Sequence, residues 1–205
     1  MAIRQWKYSV HPGVQMAQGI IARLEEKTGK SLDDWIKLSN KSGPKDEKER
    51  VAWLKSKHGL GTNYAGWIGE RSFGRGLESS DPDAYLVAAP KFVDEMFSGP
   101  KTALRPIYDA LLELAFNLGK DIRVSPAKTI VPIYRNHVIA QIKPSTRTRV
   151  DFGLALGDTK PTGRLKSTGG FDKGDRITHN IALSTVGDVD AEVSTCLARA
   201  YSLDA

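Results

Sequence analysis

Two changes of rhythm along the chain predict an α+β fold, an N-terminal helical bundle followed by a small antiparallel sheet flanked by helices. Apolar residues recur at helical spacing as far as Leu118, and after Gly119 the period falls to two. Between them, residues 72–83 (SFGRGLESSDPD) are rich in Gly, Ser and Asp and carry no sustained apolar period, which marks a boundary. The expected organisation is a helical domain over residues 1–72 and an α+β domain with a basic sheet over 83–205. A chain of 205 residues has the length to give each part a core.

The elements follow in order. Val14, Ala17, Ile20, Ile21 and Leu24 lie on one face of a helix over 13–28, stopped by Gly29. Ser31 is a capping residue for a second helix over 32–40, with Asp34 favouring its positive end. Ser42-Gly43-Pro44 turns the chain, and Pro44 is expected in the first position of a third helix that ends at His58-Gly59. Gly61-Thr62 opens a fourth. Trp35, Trp53 and Trp67 fall one to each of the last three helices, as they would if they met in one small core. Asp81-Pro82 then caps a helix into Leu86, and another is expected over 90–97. After Gly99-Pro100, Leu104, Ile107, Leu111, Leu114, Ala115 and Leu118 form the stripe of a longer helix.

Ile130, Pro132 and Tyr134 alternate against Thr129, Val131 and Ile133, a strand that Pro132 places at a sheet edge because it has no N–H. Tyr134-Arg135-Asn136-His137-Val138 reads as a hairpin turn into a strand bearing Val138, Ala140 and Ile142. Residues 147–154 form a third strand with its basic side chains on one face, 160–174 a polar excursion, and 177–184 a final strand. A last helix starts near Asp188 and carries Val189, Val193, Leu197 and Tyr201.

Charge is the strongest functional signal. The chain has a formal net charge of +6, yet residues 120–180 alone hold twelve Lys/Arg against five Asp/Glu. Positive charge on a sheet with Tyr134, Phe152 and Phe171 interleaved is the footprint of a surface that meets phosphates or an acidic partner. The binding set is Tyr134, Arg135, Lys143, Arg147, Arg149, Arg164, Lys166, Phe171 and Arg176, with Lys173 beside it; phosphate contacts would make affinity salt-sensitive, and Tyr134 or Phe171 could stack on a base. The bland reading is a solvated face, since cations also protect sheet edges.

Other candidates are weaker. Gly29-Lys30-Ser31 imitates the end of a phosphate-binding loop, but the first glycine of that spacing falls on Leu24 inside a helix. A metal-dependent nuclease or hydrolase would use Asp151, Asp158 and Lys160, two carboxylates for the cation and an ammonium to orient water. Their spacing is short, and Asp158 sits in a Gly-Asp turn. His58, His137 and His179 are scattered, so no metal site is expected, and Cys196 among Val193, Leu197 and Ala200 reads as an inert thiol. A lone cysteine, no apolar run of membrane-spanning length and no secretory start together point to a cytoplasmic protein without a membrane partner.

Two blocks resemble bacterial domain families of unknown function. Thr28-Gly29-Lys30-Ser31-Leu32-Asp33-Asp34-Trp35, then Trp53-Leu54-Lys55 and His58-Gly59-Leu60-Gly61-Thr62-Asn63-Tyr64-Ala65, is similar to a short helical domain over roughly residues 16–70. Phe97-Ser98-Gly99-Pro100, Ile130-Val131-Pro132-Ile133-Tyr134, Asp175-Arg176-Ile177-Thr178-His179 and the closing Val189-Asp190-Ala191-Glu192-Val193 to Ala200-Tyr201 resemble a small α+β domain. That second resemblance implies company with restriction-type nuclease modules and a loose label of predicted transport protein. The closing helix is also similar to small double-wing proteins suspected of binding DNA. The resulting expectation is a non-enzymatic binding protein without cofactors that engages nucleic acid or another polyanion. The nuclease is the alternative, and a protein–protein module that meets an acidic protein is the third reading.

Overall fold

The computed structural model describes residues 6–205; residues 1–5, on which the expectation of no secretory start rests, lie outside the described residues. The chain divides into two compact units, one of residues Val10–Ala88 and one of Ala89–Ala205 together with the N-terminal residues up to Ser9.

In the first unit, α1 (Pro12–Ile21) starts where the His11 ring accepts the Gly13 N–H at 3.0 Å and Pro12 takes the first helical position. The single helix expected over 13–28 is in fact two. The chain tightens at Arg23, whose N–H reaches the Ile20 carbonyl, and α2 (Leu24–Thr28) sets off anew with Leu24 in the core. Helix α3 (Leu32–Ser42) is capped by Ser31, whose Oγ accepts the Asp34 N–H. Helix α4 (Glu47–His58) begins later than Pro44 suggests, because Asp46 is the better cap and accepts the Glu49 N–H at 2.9 Å. Gly59, with φ +66°, closes it in the left-handed conformation. Helix α5 (Thr62–Ser72) completes the bundle.

Leu24, Trp35, Leu54, Leu60, Ala65 and Ile68 form its core, with Trp53 and Tyr64 packed on it. Trp67 is not among them. Its ring stands 6.4 Å from that of Tyr64, outside the shared core expected for the three tryptophans. Helix α6 (Pro82–Met96) runs as one element through Pro90 where two helices were expected; Asp81 caps it by accepting the Ala84 N–H.

The second unit stacks helices on one face of a six-stranded sheet. A 3-10 turn (Gly99–Leu104) leads into α7 (Arg105–Phe116), which buries Ile107, Tyr108, Leu111, Leu112 and Ala115. Strands β1 (Arg123–Val124), β2 (Val131–Tyr134), β3 (Val138–Pro144), β4 (Val150–Leu154), β5 (Lys166–Ser167) and β6 (His179–Leu183) pair antiparallel in the order β1-β2-β3-β4-β6-β5. Helix α8 (Ala191–Ser202) follows, with Val193, Leu197 and Ala200 buried. The core face carries Ile133, Ala140, Ile142, Val150, Phe152, Leu154, Ile181 and Leu183.

Strand β2 is not at an edge. The Pro132 carbonyl accepts the Ser125 N–H at 3.3 Å, so its missing N–H also points toward β1, just past the end of that short strand, and costs the β2–β3 ladder nothing. On the other side of β1, the Ser9 N–H reaches the Val124 carbonyl, while Trp6 stacks on Phe116 at 5.6 Å. Strand β5, inside the expected polar excursion, is too short to leave a periodic signal.

Candidate functional site

Register decides which of the basic side chains share a surface. Cross-strand partners point to the same face of a sheet, so Gln141, Gly153, Asn180 and Lys166 make one row of the outer face, and Lys143, Asp151 and Ala182 the next. Lys143 and Lys166 are exposed. Gly153 is required in the first row, because a Cβ there would lie 2.7 Å from Gln141 Cγ and 2.8 Å from Ile177 Cγ2. Arg147 is exposed in the turn between β3 and β4, so Lys143 and Arg147 lie at one end of this face. Lys143, Arg147 and Lys166 have no carboxylate partner among the described residues.

The remaining arginines of the expected set are engaged. Arg149 pairs with Asp151 at 2.8 Å and sits before β4 rather than on it. Arg135, at the opposite end of the sheet, donates Nε–H to Asp121 at 2.9 Å, reaches the Tyr201 carbonyl and lies 4.2 Å over the Tyr201 ring. Its guanidinium, with the Tyr201 hydroxyl, holds the Asp121 carboxyl below the usual carboxylate range. Arg164 forks onto Asp190 at 2.6 Å and Glu192 at 2.8 Å and also donates to the Asp188 carbonyl. Its partner Glu192 is correspondingly lowered, first by that guanidinium and then by the Arg164 N–H. Arg176 pairs with Asp204 and donates to the Val138 carbonyl. Tyr134 is half-buried beside the hairpin, and Phe171 stands exposed far along the chain from it.

Asp204 anchors the most elaborate of these contacts. Its side chain is 3% exposed and accepts the N–H groups of Asn136 (2.8 Å) and His137 (2.7 Å) and the His137 Nδ1–H (2.9 Å). Burial works against its charge, but the His137 backbone, the ring and Arg176 outweigh it and hold the carboxyl below its ordinary value. The backbone of the hairpin tip thus grips the carboxylate.

The nuclease residues do not converge. Asp151 faces outward near the start of β4, and Asp158 and Lys160 lie beyond the far end of that strand. Among the described residues no group of three or more His, Cys, Asp or Glu side chains is placed to hold a metal ion. His179 is spent internally: Leu156 N–H donates to Thr178 Oγ1, the Thr178 hydroxyl to His179 Nδ1, and His179 Nε2–H to the Thr159 carbonyl at 2.7 Å. Burial, and then Glu192, push the Cys196 thiol up, which opposes nucleophilic use. In the helical unit the His58 ring packs edge-on against Trp53 (4.4 Å) and Trp35 (5.3 Å), and burial followed by Lys57 and Lys30 lowers its proton affinity. Lys30, from the phosphate-loop imitation, lies 5.6 Å over the Trp35 ring, and the Ser31 hydroxyl is committed to the cap.

Residues 93–204 match the family model of a domain of unknown function, DUF5655. The chain belongs to this family. Residues 16–69 match a second domain of unknown function, DUF4287, so two such domains share one polypeptide. The DUF5655 match spans α7, the entire sheet and α8, and therefore includes every cation of the expected binding set. No curated protein and no solved structure matches the chain. No helix among the described residues is long and apolar enough to cross a membrane.

Proposed function

We propose that this DUF5655 protein is a non-catalytic binding protein whose outer sheet face engages nucleic acid or another polyanion through Lys143, Arg147 and Lys166. One observation carries the reading. These three cations stand exposed on, or at the end of, the outer sheet face without a carboxylate partner among the described residues, with the hydrogen-bonding side chains Gln141 and Asn180 beside them. Unpaired cations on a shared face retain the field that attracts phosphates, whereas paired ones lose it within a few ångströms. The contact surface is narrower than the sequence suggests, because Arg135, Arg149, Arg164 and Arg176 have local anionic partners. Contacts of this kind bind backbone phosphate without reading sequence.

The test is retention of the purified protein on immobilised DNA and RNA at low ionic strength. Lys143→Glu, Arg147→Glu and Lys166→Glu combined should release it while leaving the thermal transition in place. Reversing Arg135 alone should alter stability more than retention. Equal retention of the triple variant and the wild type would refute the assignment.

A further inference from the structure

A second surface of the DUF5655 unit carries charges of both signs. A cleft of about 500 Å³ opens between the loop after β4, the 3-10 turn Phe171–Lys173 and the end of α8. Its size lies within the range of small-molecule sites. The wall is held rigid by the buried chain from Leu156 through Thr178 and His179 to Thr159, in which every ring and hydroxyl hydrogen already has an acceptor. The mouth is apolar and open, with Phe171 55% and Leu203 59% exposed.

Three of the residues that line the cleft, Asp158, Asp175 and Arg199, have charged side chains without a hydrogen-bond or ion-pair partner among the described residues. Arg176 also lines it, but Asp204 compensates its charge. Arg199 further borders an adjoining depression of about 390 Å³. The uncompensated groups leave an excess of one negative charge, which repels a phosphate dianion and selects a ligand of the reverse pattern.

We propose that this cleft binds a free basic amino acid, with its carboxylate on Arg199, its two cationic groups on Asp158 and Asp175, and its aliphatic stem against Phe171 and Leu203. A carboxylate and a guanidinium meet as a bidentate, charge-assisted pair, and a cation near the Phe171 ring gains from its π face. A peptide ending in a basic residue offers one cation fewer than the cleft has carboxylates, so the free amino acid is the better complement.

Isothermal titration of the full chain with L-arginine, with agmatine, which lacks the carboxylate, and with AMP tests the assignment. Arginine should bind saturably with one site per chain, and agmatine at least about tenfold more weakly, the worth of one charge-assisted hydrogen bond. Arg199→Ala should weaken arginine by at least about tenfold without weakening agmatine. Asp158→Asn with Asp175→Asn should weaken both by at least about tenfold. Absence of saturable heat with arginine at millimolar concentration, equal binding of arginine and agmatine, or tighter binding of AMP would each overturn the proposal. Retention on nucleic acid should be unaffected by Arg199→Ala, which keeps this result separate from the fate of the sheet-face reading.

Discussion

Asp204 shows how one side chain can lock a distant hairpin. Its carboxylate collects two backbone N–H groups, a ring N–H and a guanidinium from residues at least 28 positions away. Replacing it with Ala leaves those donors partly buried and unmatched, and should cost about 2–4 kcal/mol in urea-induced unfolding. Because the folded carboxyl titrates below its unfolded value of about 4, its contribution is fully present above that pH and is lost as the pH falls further through the folded value. Asp204→Asn should therefore flatten the acid limb of a stability-against-pH curve; an unchanged limb would mean that Asp204 is not a principal acid-sensitive group. Arg50 plays the matching part in the helical unit. It is 6% exposed, donates to Pro44, Asn40 and Ser72, and lies 4.2 Å over the Phe73 ring. Arg50→Lys cannot reproduce that fork or the stack and should cost about 2 kcal/mol, measured by the same unfolding experiment. Nothing in the local sequence announces either residue, since their partners are set by tertiary approach rather than by spacing.

At the scale of elements, periodicity and punctuation carried most of the reading. The caps Ser31 and Asp81, the stop at Gly59, the stripe of α7 and the alternation of β3 all correspond to local forces that act wherever the chain goes. The departures have tertiary causes. Pro132 sits in an interior strand because its N–H side meets the short β1, and Pro90 lies within α6 because one missing bond does not end a helix held on both sides of it. Strands β1 and β5, two residues each, exist only through their neighbours. Gly153 offers a direct check on the register. Gly153→Val would drive a branched side chain into Gln141 and Ile177 and should cost about 1–3 kcal/mol by thermal or urea unfolding. A neutral result would mean that the outer face is not packed as described.

For the whole molecule, counting charge along the sequence located the basic region but overstated it. The excess over residues 120–180 is real, yet Asp190, Glu192 and Asp204 arrive from the closing segment and neutralise Arg164 and Arg176, while Asp121 and Asp151 take Arg135 and Arg149. A one-dimensional window cannot see carboxylates that fold back into it. On the outer sheet face Lys143, Arg147 and Lys166 have no carboxylate partner among the described residues, and as the proposed phosphate contacts they define the size of the effect to look for. The decisive measurement is the salt dependence of DNA and RNA binding by fluorescence polarisation from low to physiological ionic strength. Three phosphate contacts predict a slope of log K against log salt of about −2 to −3, reduced to near zero in the Lys143→Glu, Arg147→Glu, Lys166→Glu variant. Absence of binding even at the lowest salt, or a slope that the triple variant leaves untouched, would contradict a polyanion-binding sheet face.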